Sequence, residues 1–167
     1  YSTRADTEIK LLDQFRVLLG DPILEANRRL GATTAEVKLR ASRIMVETPK
    51  RPGLAWSDEL KEYLRVAKDG TKTLLVPLRF LRINDDTVLW GAPMELFCEI
   101  SNEIRDRSPF ANTFYVGYTS GTFGYLPSEQ EYLAGGYESA TTPFTASAAG
   151  RLSAAVNRHL QEIHAAP

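Results

Sequence analysis

A mixed α/β (or α+β) fold, with a mixed sheet flanked by helices, is the architecture this sequence predicts. Three observations point there. Apolar residues recur at helical spacing in several segments, most regularly Ala149, Leu152, Val156, Leu160 and Ile163. Two runs rich in strand-forming residues are separated by Asn84-Asp85-Asp86, which reads as a hairpin turn. Helical and strand-like segments also alternate along the chain instead of segregating. With 167 residues, 43% hydrophobic and 25% charged, the chain has the composition of a globular protein with a core of its own.

Each element has a local reason. Residues 6–19 carry Ile9, Leu12, Phe15 and Leu19, a helical stripe. Gly20-Asp21-Pro22 then reads as helix end, N-cap and first helical position of a second helix, which runs to about Leu30 and closes at Gly31. Residues 37–47 alternate and are rich in β-branched side chains, so a strand is expected, followed by a loop at 48–53. Residues 57–70, SDELKEYLRVAKDG, predict a compact helix with Ser57 as cap and Gly70 as stop. Leu74 to Ile83 and Thr87 to Gly91 form the hairpin strands, with Pro77 pushing the first toward a sheet edge or bulge. A helix is expected from Glu95 to Arg105, with Leu96, Ile100 and Ile104 on one face. A strand follows from Thr113 to Tyr118, then the turn TSGTFG. Ser128 caps a short helix to Ala134, and the apolar series from Ala149 to Ile163 makes a long closing helix.

Several function classes are disfavoured. A net charge of −1, without long charge blocks, argues against an electrostatically driven nucleic-acid or membrane-surface binder. No apolar run reaches bilayer length. The single cysteine, Cys98, excludes an internal disulfide and a multi-cysteine zinc site, and its apolar neighbours suggest a buried thiol. Gly117, Gly121 and Gly124 match neither the dinucleotide-binding nor the P-loop spacing. His159 and His164 stand five apart, off a common helix face, and read as surface histidines near a helix C-terminus. No triad or metal cluster is visible. The chain starts at Tyr1 without a signal-peptide pattern, so it reads as a processed product or as a piece of something longer.

One stretch stands out. Residues 115–139, YVGYTSGTFGYLPSEQEYLAGGYES, hold five of the chain's seven tyrosines together with five glycines. A core strand would use the rings but not the glycines. The combination implies backbone turned sharply around something, with phenols aimed at it. Upstream, Glu95 in GAPMELF follows the end of a strand, a usual place for a functional carboxylate in α/β folds, or else simply favours the dipole of the helix it opens. Tyr137 in GGYES is either a functional phenol or a packing residue after a helix stop.

Taken in order, LWGAPMELFCEISNEIRDRSPF, FYVGYTSGTFGYLP and EYLAGGYES resemble the last third of the neutral/alkaline non-lysosomal ceramidase family. The likeness is best over residues 73–164, within a chain that reads as a single domain or a fragment over 1–167. The resemblance implies the C-terminal part of a larger catalytic domain of zinc amidases, which cleave the N-acyl bond of ceramide. Family members hold zinc with two histidines, a glutamate and a tyrosine. Glu95 and Tyr137 match the last two, and Tyr118, Ser120 and Tyr125 would line the substrate pocket. Zinc suits such nitrogen and oxygen ligands and polarises an amide carbonyl. The family's two upstream histidines are not in this chain. Pro-Met-Glu replaces Pro-Gly-Glu, Ser120 and Thr122 replace an Asn and a Tyr, and TASAAG stands where ceramidases carry Gly-Pro-x-Thr.

The resemblance implies a partner in the missing N-terminal part of the domain, a lipid amide substrate, a possible homo-oligomer, and a secreted or periplasmic location. Alone, the chain is expected to be inactive. The alternative is a non-catalytic ceramidase-like domain with a binding or assembly role. A free-standing small domain would close its own hydrophobic core, whereas a fragment exposes apolar surface where the missing part docks.

Overall fold

The computed structural model describes residues 4–166, which form two compact units that divide between Glu36 and Val37. The first unit is helical: α1 (Arg4–Phe15), a π-helical turn (Arg16–Gly20) and α2 (Asp21–Arg28). The expected break at Gly20 does not occur. Gly20 and Asp21 both keep helical backbone angles, so Asp21 is no N-cap. Pro22 explains the π turn instead. Its missing N–H and its ring disrupt the regular ladder one turn back, and a widened turn absorbs that.

The second unit contains β1 (Leu39–Pro49), a 3₁₀ helix (Asp58–Tyr63), β2 (Leu64–Val66), β3 (Lys72–Ile83), β4 (Thr87–Gly91), β5 (Glu95–Leu96), α3 (Cys98–Arg107), β6 (Asn112–Val116), β7 (Tyr125–Leu126), α4 (Glu129–Ala134), α5 (Tyr137–Thr141) and α6 (Ala148–Ala165). The mixed sheet runs β1-β3-β4-β6, with β2 also paired to β3. β1/β3 and β3/β4 are antiparallel, while β4 and β6 are parallel through the α3 crossover. A second, two-stranded parallel sheet joins β5 and β7. The mixed α/β class is therefore correct, and the hairpin, the Ser128-capped α4 and the long α6 fall where the sequence places them.

Other expectations are corrected. Residues 57–70 form a 3₁₀ turn and a strand rather than one helix. Ser57 still caps, accepting from the Glu59 N–H, but Asp69-Gly70 is a hairpin turn, with Gly70 at φ +82°. The Ala67 N–H donates to the Thr71 carbonyl at 2.9 Å, which joins β2 to β3, and the ladder outweighs the segment's helix propensity. Pro77 lies in the central strand β3, not at an edge. Among the described residues its second side is nonetheless unpaired, because the β2 ladder reaches only to Leu74 and the β4 ladder only to Arg79. The helix expected from Glu95 starts only at Cys98, because Glu95 and Leu96 are drawn into the pairing with β7. Cys98 is exposed on the first turn of α3, not buried.

The core lies on one sheet face. Leu74, Val76, Leu78 and Phe80 of β3, with Val88 and Trp90 of β4, meet Ile100 and Ile104 of α3 and Leu152, Val156 and Leu160 of α6. Across the pleat, Leu39, Met45, Phe114 and Val116 remain exposed. Two polar ties hold α6. His159, only 13% exposed, corrects its reading as a surface histidine. Its Nε2 shares a 2.8 Å hydrogen bond with Ser42 Oγ, its Nδ1 lies 3.2 Å from Glu162 Oε2, and its ring packs on Phe80. At the helix end, buried Arg82 donates to the Ile163 carbonyl at 2.7 Å and the Ala166 carbonyl at 2.9 Å, satisfying carbonyls that the helix cannot pair internally. Arg82 also donates to the Asn84 carbonyl and pairs with Asp85 at 2.6 Å.

Arg82→Met should therefore lower stability by about 2 kcal/mol in urea unfolding, because it removes three hydrogen bonds to carbonyls, two of them at the end of α6. Asp85→Asn, at the exposed end of the pair, should cost under about 1 kcal/mol.

Candidate metal-facing site at the strand ends

The site is built where parallel β4 and β6 end, the place at which open α/β sheets present ligand-binding loops. After Gly91 the chain runs through Ala92, Pro93 and Met94 into β5. After Val116 it runs through the 117–124 turn into β7. The two connections are laced together. The Ala92 N–H donates to the Val116 carbonyl at 3.3 Å, Thr119 to Ala92 at 3.2 Å, Phe123 to Pro93 at 2.5 Å and Glu95 to Gly124 at 2.9 Å. Such close backbone approach leaves no room for side chains at two points. A Cβ on Gly91 would sit 2.7 Å from the Thr119 side chain, and one on Gly117 would sit 3.1 Å from the Met94 carbonyl oxygen. The turn itself is sharp, with positive φ at Tyr118, Ser120, Gly121 and Gly124.

This lacing brings phenols to the Glu95 carboxylate. The Tyr118 hydroxyl donates to Glu95 Oε1. Tyr125 is the register partner of Glu95 in the β5/β7 pair, and the Tyr137 ring meets the Tyr125 ring edge-on at 6.0 Å. Glu95, Tyr118 and Tyr125 thus converge, and Tyr137 joins through the Tyr125 ring. Tyr137 is 68% exposed at the first position of α5, after Gly135 and Gly136, so it is no core-packing residue. Ser120 is turned to Arg79, whose Nε donates to its hydroxyl at 2.5 Å. Sequence reasoning overlooked two supports. Tyr115 donates to the Met94 carbonyl at 2.7 Å and so braces the Glu95 loop from beneath, and Arg79 braces the turn. The alternation of LRFLRI puts Arg79 off the core face, which was the available signal.

The phenols are held neutral. Tyr118 is pushed up to about 12, first by its hydrogen bond to Glu95, then by desolvation and the carboxylate's charge. Tyr125 is raised, first by the Glu95 charge. Tyr115 is raised by burial first, then by Tyr118 and Glu95. Among the described residues no cationic side chain pairs with Glu95. A carboxylate ringed by phenols and lacking a counter-ion suits a hard cation. The donors gathered here are oxygens only, the Glu95 carboxylate and the hydroxyls of Tyr118 and Tyr125. Among the described residues no three His, Cys, Asp or Glu side chains gather as a metal-holding group. His159 is engaged with Ser42 and Glu162, and His164 packs on Phe110. The Ser42–His159–Glu162 chain is a helix-to-sheet clip. Ser42 lies inside the regular β1/β3 ladder opposite Phe80, without the turn of backbone donors that an acyl-transfer serine needs.

No family model matches the chain, and no curated protein matches it. Among solved structures, a ceramidase complexed with C2 matches with a TM-score of 0.50 at 13% identity, over 81% of this chain and 30% of that one. A neutral ceramidase from Pseudomonas aeruginosa matches with a TM-score of 0.49 at 16% identity, over 81% of this chain and 29% of that one. The chain spans about 30% of the length of the first ceramidase, and what it has in common with it is a fold.

Two outcomes test the geometry. Gly91→Ala should destabilise the domain by about 2 kcal/mol, read by denaturant unfolding, because its Cβ displaces Thr119. In a tyrosine ¹³C NMR titration, Tyr118 should ionise near pH 12, and Glu95→Gln should move it back toward 10. A raised folded-state value means that the neutral phenol's stabilisation is complete below pH 10 and is lost as pH rises through about 12.

Proposed function

We propose that this chain is the C-terminal portion of a zinc-dependent amide hydrolase of the ceramidase type. Glu95 and Tyr137 supply the oxygen ligands, and two imidazoles come from an N-terminal part of the same domain. The observation that carries this reading is the Glu95 carboxylate among phenols, without a cationic partner among the described residues, at the carboxyl ends of a parallel strand pair. Support comes from the fold shared with a ceramidase over 81% of the chain. The apolar side chains exposed on the sheet, Phe114 and Val116 among them, give a missing part somewhere to dock, and a homo-oligomer is the other way to cover them.

In this reading a zinc ion would supply Lewis-acid polarisation of the substrate's amide carbonyl. Glu95, which now accepts from Tyr118, would be one of the residues that hold the metal. Tyr118, still protonated at neutral pH, would keep a donor at the pocket wall, and Tyr125 would keep a second. Arg79 would hold Ser120 and so fix the turn that shapes the pocket. The substrate class is an N-acyl bond in a ceramide-like lipid or another amide, and the location is secreted or periplasmic. Among the described residues no helix is long and apolar enough to cross a membrane. Without its two imidazoles the isolated chain is inactive, because half a ligand set forfeits most of the zinc affinity.

Elemental analysis of the 167-residue chain beside the complete gene product tests the reading. The complete product should hold about one zinc per chain. Glu95→Gln or Tyr137→Phe should remove most of that metal while leaving the unfolding midpoint within about 0.5 kcal/mol of the original, as expected for exposed positions. A zinc-free complete product, or variants that lose stability and not metal, would establish the non-catalytic domain instead.

A further inference from the structure

A second site, distinct from Glu95 and its phenols, lies where the loop after β1 faces the β2–β3 turn. The cavity there has a volume of about 840 Å³, within the range of small-molecule pockets. Its charged lining residues are Lys50, Arg51 and Lys72, and Pro49, Pro52 and Leu54 give it apolar walls. No carboxylate is among the residues that line it.

Lys50 is the unusual member. It is 8% exposed, yet among the described residues no carboxylate pairs with it. Its ammonium donates to the Arg51 carbonyl at 3.1 Å and the Leu54 carbonyl at 2.5 Å. Those two bonds leave one of the three donors of an ammonium group for the cavity. Burial first, and Lys72 second, hold its pKa below the ordinary lysine value. Among the described residues Arg51 has no acidic partner either, but its guanidinium is engaged away from the cavity. Its guanidinium donates to the Ser139 carbonyl and stands 5.5 Å over the Tyr132 ring. Asp69, the acidic residue of the adjacent turn, is occupied by the Thr71 N–H at 2.9 Å. A buried cation without a counter-ion carries a desolvation cost that an incoming anion offsets.

We propose that this cavity binds an anionic amphiphile, with a carboxylate or phosphate head between Lys50 and Lys72 and an apolar body against Pro49, Pro52 and Leu54. Calorimetric titration with hexyl phosphate, and with hexanol and inorganic phosphate as the two separated halves, tests it. Hexyl phosphate should bind saturably, one per chain, and more tightly than either half. Lys72→Gln changes an exposed residue and should leave the fold intact while weakening binding about tenfold. Lys50→Met should abolish binding, with folding checked by circular dichroism. The absence of saturable binding would overturn the proposal. So would equal affinity for hexanol, or affinity for hexyl phosphate that Lys72→Gln leaves unchanged.

Discussion

The parallel pairing of β4 with β6, continued by the parallel pairing of β5 with β7, is the constraint on which the rest depends. A parallel pair needs a crossover, and α3 provides it while burying Ile100 and Ile104 against the sheet. The same pairing leaves two connections emerging side by side at one sheet end, where the N–H groups of Ala92, Thr119, Phe123 and Glu95 tie one to the other. Gly91 and Gly117 allow the contact, and the positive φ values at Tyr118, Ser120, Gly121 and Gly124 let the second connection fold over the first.

Chemistry follows from that closeness. Glu95 is not in a helix, so a helix dipole is not what favours its charge. It sits in a short strand, accepts from Tyr118 and faces Tyr125. The phenols compensate the carboxylate as neutral donors, and their raised pKa values are the price of that arrangement. A divalent cation would attract the carboxylate itself, and these two phenols would stay beside it as neutral donors.

Much of this was legible in the sequence, for reasons that differ by element. Asn84-Asp85-Asp86, Ser128 and the apolar series of α6 are local signals, and local hydrogen bonds or one buried face decide them. The 57–70 segment misled because Asp69-Gly70 serves equally as a helix stop and as a hairpin turn, and only pairing with β3 chooses between them. Glu95 misled in the same way, since its strand partner Tyr125 lies far along the chain. His159 was misread because its partners, Ser42 and Phe80, belong to strands that α6 meets only in the folded domain. The tyrosine and glycine clustering did foretell a sharp turn with phenols gathered at it. Their target, Glu95, and their braces, Tyr115 and Arg79, became visible only with the strand register.

The claim at the centre of this account is that Glu95 and the tyrosines around it form one cation-facing group. Cobalt(II) has zinc's charge and similar ligand preferences, and its paramagnetism reports position even when binding is weak. Its titration into the ¹⁵N-labelled chain, followed by NMR, is the most direct measurement. The account predicts that the amide signals of Glu95, Tyr118, Tyr125 and Tyr137 shift or broaden first and together, and that Glu95→Gln removes the effect. First effects at Asp85 and Asp86, or around His159 and Glu162, with Glu95 untouched, would contradict it.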